Sequence, residues 1–172
     1  MKSNKTKTNY KKRLALLKSR LPRLVVRKTN SRIISQLIEY SENGDKTLSS
    51  AYGTDLKKYG WNFSSKNIPA AYLTGFLLGT KTSQKEAILD KGERTLKKDS
   101  FVYYFVKGAL DGGLKVHAGE LPISSDIMYG IHIAKHYETK KGNQFHSVGD
   151  KIKGIREEIN KVVDNIKQHG KE

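Results

Sequence analysis

Cysteine is absent from the 172-residue chain, which excludes disulfide scaffolds, thiolate-held metals and cysteine nucleophiles. Long apolar runs are missing too. The longest stretch without a charged side chain, Asn67 to Thr80, has fourteen residues, too few to span a bilayer as a helix. Near the N-terminus only Leu14 to Leu17 interrupts the charges, so a secretory leader would lack its apolar segment. An acid-free start suits a mitochondrial presequence better, yet it runs directly into what reads as a core strand, and the expected location is the cytoplasm. Negative charge is the last scarcity: the first carboxylate is Glu39.

Positive charge is what the chain has in excess. It carries 33 Lys and Arg against 17 Asp and Glu, a formal balance of +16. A charge of that size on a small protein repels itself unless a polyanion neutralises it, so nucleic acid is the first expected partner. Small acidic substrates need two or three cations, and neither a small-molecule substrate nor a membrane partner is expected. The excess is concentrated: residues 1–32 hold twelve basic side chains and no acid, which leaves the other 140 residues with 21 basic and 17 acidic groups. This pattern points to an arm that binds polyanions.

The length fits one domain with extensions. We divide it into a basic arm at 1–22, an α/β core at 23–139, and a linker with a C-terminal amphipathic helix at 140–172. Residues 1–9 are polar and aperiodic. From Tyr10 to Leu21 the leucines 14, 17 and 21 fall at helical spacing among Lys11, Lys12, Lys18 and Arg20, and a short helix there would seat its leucines on the body. After Pro22, Arg23–Lys28 reads as a strand with Leu24 and Val26 on one face and Arg23, Val25 and Arg27 on the other. Alternation continues through Ile33–Tyr40. Asn43-Gly44 then suits a tight hairpin turn, and Lys46–Tyr52 completes an antiparallel meander.

The period changes at Asn67, which can cap a buried helix with Pro69 in its first turn. A short strand at Ala87–Leu89 follows. Val102, Phe105, Val106, Ala109 and Leu110 then mark an amphipathic helix ending near Gly112-Gly113, and another helix is expected over Ser125–Tyr137. Residues 140–149 read as a linker. Beyond them Ile152, Ile155, Ile159, Val162 and Ile166 form a narrow apolar seam, expected to be a peripheral addition packing on the body or on a neighbouring protein. The element order predicts one mixed sheet, a three-strand meander plus a further strand, covered by helices.

Catalytic patterns are weak. Gly79-Thr80-Lys81-Thr82 lacks the first glycine of a phosphate-binding loop and follows a helix where it should precede one. His132 and His136 lie four apart without a third metal ligand in evidence. Lys115-Val116-His117 with Glu120 is an unsupported acid–base pair. Strand-strand-strand-helix-strand-helix is also the beginning of a ribonuclease H-like topology, which makes a nuclease or RNA-processing enzyme the alternative reading. Such enzymes cluster carboxylates to hold two metal ions, whereas here the first strand carries Arg23, Arg27 and Lys28 and no acid. No cofactor or metal is expected.

Several segments resemble a known family in the expected order: LALLKSRLPRLVVRKTNSRIISQLIEY (14–40), GDKTLSSA (44–51), KKYGWNFSSKNIPAAYLTGFLLG (57–79), EAILDKG (86–92) and KGALDGGL (107–114). GIHIAKHY (130–137) follows less closely, and residues 138–172 match no family pattern. The family is that of large-subunit ribosomal protein L-eighteen, in its archaeal form. The resemblance implies a structural protein that binds 5S rRNA and helps attach it to 23S rRNA in the central protuberance, beside ribosomal protein L-five. It also implies a ribonuclease H-like topology of translational-machinery type. Carried onto this chain, the RNA contacts are Lys11, Lys12, Arg13, Lys18, Arg20 and Arg23 of the arm, with Arg27, Lys28, Asn30 and Arg32 of the first strand and turn. Lys57, Lys58 and Trp61 join them. Trp61 and Tyr59 sit among Lys57, Lys58 and Lys66, where they can either stack on bases or, in the case of Trp61, seal the sheet edge.

Overall fold

A computed structural model describes residues 9–92, 95–139 and 149–170. Its centre is a five-stranded mixed sheet of β1 (Arg23–Lys28), β2 (Ile33–Glu39), β3 (Lys46–Tyr52), β4 (Glu86–Asp90) and β5 (Lys115–His117), in the order β3-β2-β1-β4-β5. The meander β1-β2-β3 is antiparallel, whereas β4 runs parallel to β1 and β5 parallel to β4. Among the described residues six α-helices accompany it: α1 (Tyr10–Leu17), α2 (Ile68–Lys81), α3 (Phe101–Asp111), α4 (Ser125–Met128), α5 (Ile131–Thr139) and α6 (Ile155–His169).

Alternation along the strands sets the buried face. Leu24 and Val26 of β1 meet Ile33 and Leu37 of β2 and Ala51 of β3, all fully buried. The one polar group in that row, the Ser35 hydroxyl, donates to the Ala51 carbonyl at 2.6 Å, which removes the cost of burying it. Helix α2 lies in the core and buries residues 69–79 almost continuously, and the Asn67 side chain caps it by accepting from the Ala70 amide at 2.8 Å. Helices α2 and α3 cross with their backbones in contact. A Cβ added to Gly75 would lie 2.0 Å from the Phe105 carbonyl oxygen, and one added to Gly108 would lie 2.0 Å from that of Tyr72.

Four expectations need correction. The connection from β2 to β3 is longer than a tight Asn-Gly turn: the strands end at Glu39 and resume at Lys46, and Gly44 alone takes a positive φ, +121°. The helix expected over Ser125–Tyr137 breaks into α4 and α5 at Gly130, whose φ of +70° ends one helix and re-aims the next. Residues Lys115–His117 form the edge strand β5, too short for alternation to reveal it.

The C-terminal seam is the fourth. Ile152 is buried within a 3₁₀ turn (Gly149–Gly154), and Ile155, Ile159, Val162 and Ile166 of α6 are at most 1 % exposed. These four helix residues belong to the same apolar core as α2 and the sheet. Helix α6 packs on α2, on α5 and on a 3₁₀ turn at Asp55–Tyr59, where the Asn165 amide donates to the Tyr59 carbonyl at 3.0 Å. It closes the core where a separate, peripheral seam was expected. The linker expected at 140–149 lies, up to residue 148, outside the described residues.

Candidate nucleic-acid interface

The predicted site residues fall into two groups at opposite ends of β1. The five steps between the six strand residues, at about 3.3 Å each, put the two ends about 17 Å apart. The first group is the arm. Asn9 caps α1, its side chain accepting from the Lys12 amide at 3.0 Å. The helix ends at Leu17, and Arg20 (φ +58°) turns the chain toward β1. Lys11, Lys12, Lys18 and Arg20 are exposed. No residue of α1 is buried and Leu14 is 61 % exposed, so its leucines are not seated as the spacing suggested. Lys2, Lys5 and Lys7 lie outside the described residues.

The arm meets the sheet through alternating charges. One guanidinium nitrogen of Arg13 donates to both carboxylate oxygens of Asp45 at 2.9 Å. Asp45 also accepts from Arg23 at 2.6 Å. Arg23 reaches Asp90 with its other terminal nitrogen at 3.0 Å. Asp90 in turn accepts from Arg27 at 3.2 Å, and Arg27 also donates to the Asp90 and Val26 carbonyls, each at 2.8 Å. The series Arg13–Asp45–Arg23–Asp90–Arg27 thus runs from α1 through the β2–β3 connection to β1 and the end of β4. Burial alone would raise the Asp90 carboxyl, but the Gly92 amide, Arg27 and Arg23 together hold it below its usual range.

This geometry changes the role of one predicted contact. Arg23 is 6 % exposed, with both terminal nitrogens engaged by carboxylates. It joins the arm end to the sheet and offers no free edge to a phosphate. The two carboxylates were missed in the sequence, although Asp45 directly follows the Gly44 turn and therefore comes back beside the start of β1.

The second group surrounds the β1–β2 turn. Lys28 lies 5.7 Å from the centre of the Phe101 ring, and Arg32 lies 5.2 Å from that of Tyr52. The Asn30 carbonyl accepts from the Lys66 ammonium at 2.9 Å, and a depression of about 360 Å³ is lined by Lys28, Thr29, Asn30, Ser64, Lys66 and Asn67. Lys57 and Lys58 stand exposed on the neighbouring 3₁₀ turn. Lys58, Lys81 and His169 border a broader hollow of about 660 Å³ beside α6, a convergence of three remote segments that spacing could not reveal. Trp61 faces inward, 1 % exposed, with its ring nitrogen donating to the Ser64 carbonyl at 3.2 Å. It seals the core, and its ring presents no face to a base.

The weak catalytic patterns dissolve. Gly79–Lys81 ends α2. Glu86 takes both Lys115 and His117, at 2.8 and 3.1 Å, so His117 is paired across the parallel strands and not with Glu120. Hydrogen bonds from Lys115 and His117 lower the Glu86 carboxyl. His132 and His136 share α5, and no group of three or more His, Asp or Glu side chains able to hold a metal is found among the described residues. Nor is any helix there long and apolar enough to cross a membrane.

Residues 1–99 match the family model described as "Ribosomal large subunit proteins 60S L5, and 50S L18". The chain is 47 % identical over 136 residues to the large ribosomal subunit protein uL18 of Korarchaeum cryptofilum, covering 77 % of this chain and 70 % of that protein. It is 40 % identical over 139 residues to uL18 of Saccharolobus solfataricus, with 78 % and 70 % covered. To uL18 of Methanoculleus marisnigri it is 42 % identical over 158 residues, with 89 % and 90 % covered.

Proposed function

This chain belongs to the family of ribosomal large-subunit proteins 60S L5 and 50S L18, and from that membership we propose that it binds 5S rRNA and helps attach it to 23S rRNA beside ribosomal protein L-five. As a family member it is a structural constituent of the large ribosomal subunit and not an enzyme. The observation that carries the RNA reading is the arm: twelve basic side chains and no acid before residue 33, with Lys11, Lys12, Lys18 and Arg20 exposed.

Lys supplies mobile point charges, while Arg can grip phosphate oxygens through two parallel hydrogen bonds. We assign phosphate contacts to Lys11, Lys12, Lys18 and Arg20 at the arm end. At the turn end we assign them to Lys28, Asn30, Arg32, Lys57 and Lys58. Residues 1–22 are the binding arm in this reading, 23–139 the α/β body, and 140–172 the linker and closing helix. Strand order β3-β2-β1-β4-β5, with β4 and β5 parallel to β1, supports a ribonuclease H-like topology. Asp45 and Asp90 are both paired with guanidinium groups, an arrangement that neutralises carboxylates a nuclease would need for metal ions.

Competition among 5S rRNA, a DNA duplex and anionic vesicles for the full chain tests the proposal. The expected result is preferential retention of 5S rRNA at near-physiological salt. Equal displacement by the DNA duplex would reduce the arm to a non-specific polycation.

A further inference from the structure

We propose that Asp45 is a positioning residue for the RNA-binding arm: its carboxylate holds α1 on the sheet through Arg13, so that the cations of α1 are presented in one orientation before RNA arrives. The inference rests on the reading of the arm as the RNA-binding element and deepens it.

An acid beside a polyanion-binding surface requires a reason, because it repels the ligand. Asp45 is the acid nearest the arm in the chain's ion-pair series, and it accepts from two guanidinium groups of different kinds. Arg23 is buried and fixed at its other end by Asp90, so the Asp45 carboxylate is anchored on the sheet side. Arg13 is 36 % exposed in its side chain and belongs to a helix with no buried residue. Apolar packing therefore holds α1 only weakly, and an eight-residue helix is marginal by itself. The Arg13 nitrogen touches both carboxylate oxygens, which fixes direction as well as distance. Lys11, Lys12 and Lys18 ride on the same short element, so fixing Arg13 also fixes where they point. If the helix were seated in only a fifth of the molecules, apparent affinity would fall about fivefold.

Electrostatics and positioning predict opposite signs for removing Asp45. On charge alone, Asp45→Ala adds one unit to the net balance of the chain and should tighten RNA binding. If Asp45 positions the arm, the same change should weaken binding about fivefold. It should also speed hydrogen exchange of the α1 amides from Arg13 to Lys18 in the free protein. Because Asp45→Ala also strips a partner from buried Arg23, Arg13→Gln serves as the second variant: it frees the arm and leaves the Arg23–Asp45 and Arg23–Asp90 pairs intact. Lys18→Gln is its control, removing one cation from the exposed surface just beyond the same helix.

With the full chain and 5S rRNA as probe, Arg13→Gln should lose clearly more affinity than Lys18→Gln and should alone of the two accelerate α1 exchange. Adding Arg13→Gln to Asp45→Ala should cost little more. Equal losses for the two Gln variants with unchanged α1 exchange, or tighter binding by Asp45→Ala, would overturn the proposal. If the wild-type chain showed no preference for 5S rRNA over a DNA duplex, the RNA reading would fail instead, and the exchange data would still decide whether Asp45 holds the arm.

Discussion

Helices α1 and α6 lie at opposite ends of the chain, and opposite forces hold them. In α6, Ile155, Ile159, Val162 and Ile166 are all buried, and the helix shares its core with α2 and the sheet. In α1 nothing is buried, Leu14 stands in solvent, and the Arg13–Asp45 ion pair links the helix to the body. The stabilisation from apolar burial scales with the area removed from water and is not subject to charge screening. An ion pair between partly exposed groups contributes little and is screened. The difference teaches that one terminal helix is part of the core, while the other rests on the body through charge and, in our proposal, is aimed at the ligand.

Removing α6 should therefore have the largest structural effect. Deletion from Gly149 onward exposes the face of α2 that α6 covers, and we expect loss of the cooperative thermal transition or a severe fall in its midpoint. The milder Ile159→Ala should cost about 3 kcal/mol in denaturant unfolding. A deletion that melts like the full chain would show that the helix is dispensable and erase the contrast with α1.

The platform beneath α6 is the next target. Gly108→Ala places a methyl 2.0 Å from the Tyr72 carbonyl. The α2–α3 pair must then part, at a cost of about 2 kcal/mol. An unchanged melting curve would mean that the crossing is looser than the structure shows.

Much of this was legible in the sequence because short-range rules decide it. Alternation in RLVVRK and IISQLIE places β1 and β2, Asn67 with Pro69 starts α2, and the spacing of Val102 to Leu110 gives α3. The step of three and four from Ile155 to Ile166 predicts a helix but not what covers it, because a narrow seam can face either the body or another protein. The three residues of β5 are too few to show a period. Of the site, exposed arm cations follow from composition. The burial of Arg23 and Trp61 does not: it depends on Asp45 and Asp90 meeting from distant segments and on how the loop after the 3₁₀ turn folds inward.

On the α1 side the effects should be smaller and electrostatic. The folded Asp90 carboxyl is held below its ordinary value of about 3.9. Its contribution to stability is thus fully present above that value and is lost as pH falls through the lower, folded one. Thermal midpoints taken from pH 6 downward should show the wild type losing stability below about pH 4 more steeply than Asp90→Asn; parallel curves would show that Asp90 stores no such energy. The smallest effect is expected for Gly44→Ala in the connection that carries Asp45. At φ +121° a side chain is strained, and about 1 kcal/mol of stability should be lost, measurable by denaturant unfolding. No loss would mean that the turn can relax.

The most direct test of the division between the two helices is the salt dependence of 5S rRNA binding by a chain lacking residues 1–21. That truncation removes eight cations, Lys2, Lys5, Lys7, Lys11, Lys12, Arg13, Lys18 and Arg20, and no strand. If about half of the twelve early cations meet phosphates, the full chain should give a log–log slope of about −4 to −5. The truncated protein should keep its cooperative melting transition, bind much more weakly and give a clearly flatter slope, with Lys28, Arg32, Lys57 and Lys58 supplying the remainder. Unchanged affinity and slope in the folded, truncated chain would contradict the account and move the RNA site to the body.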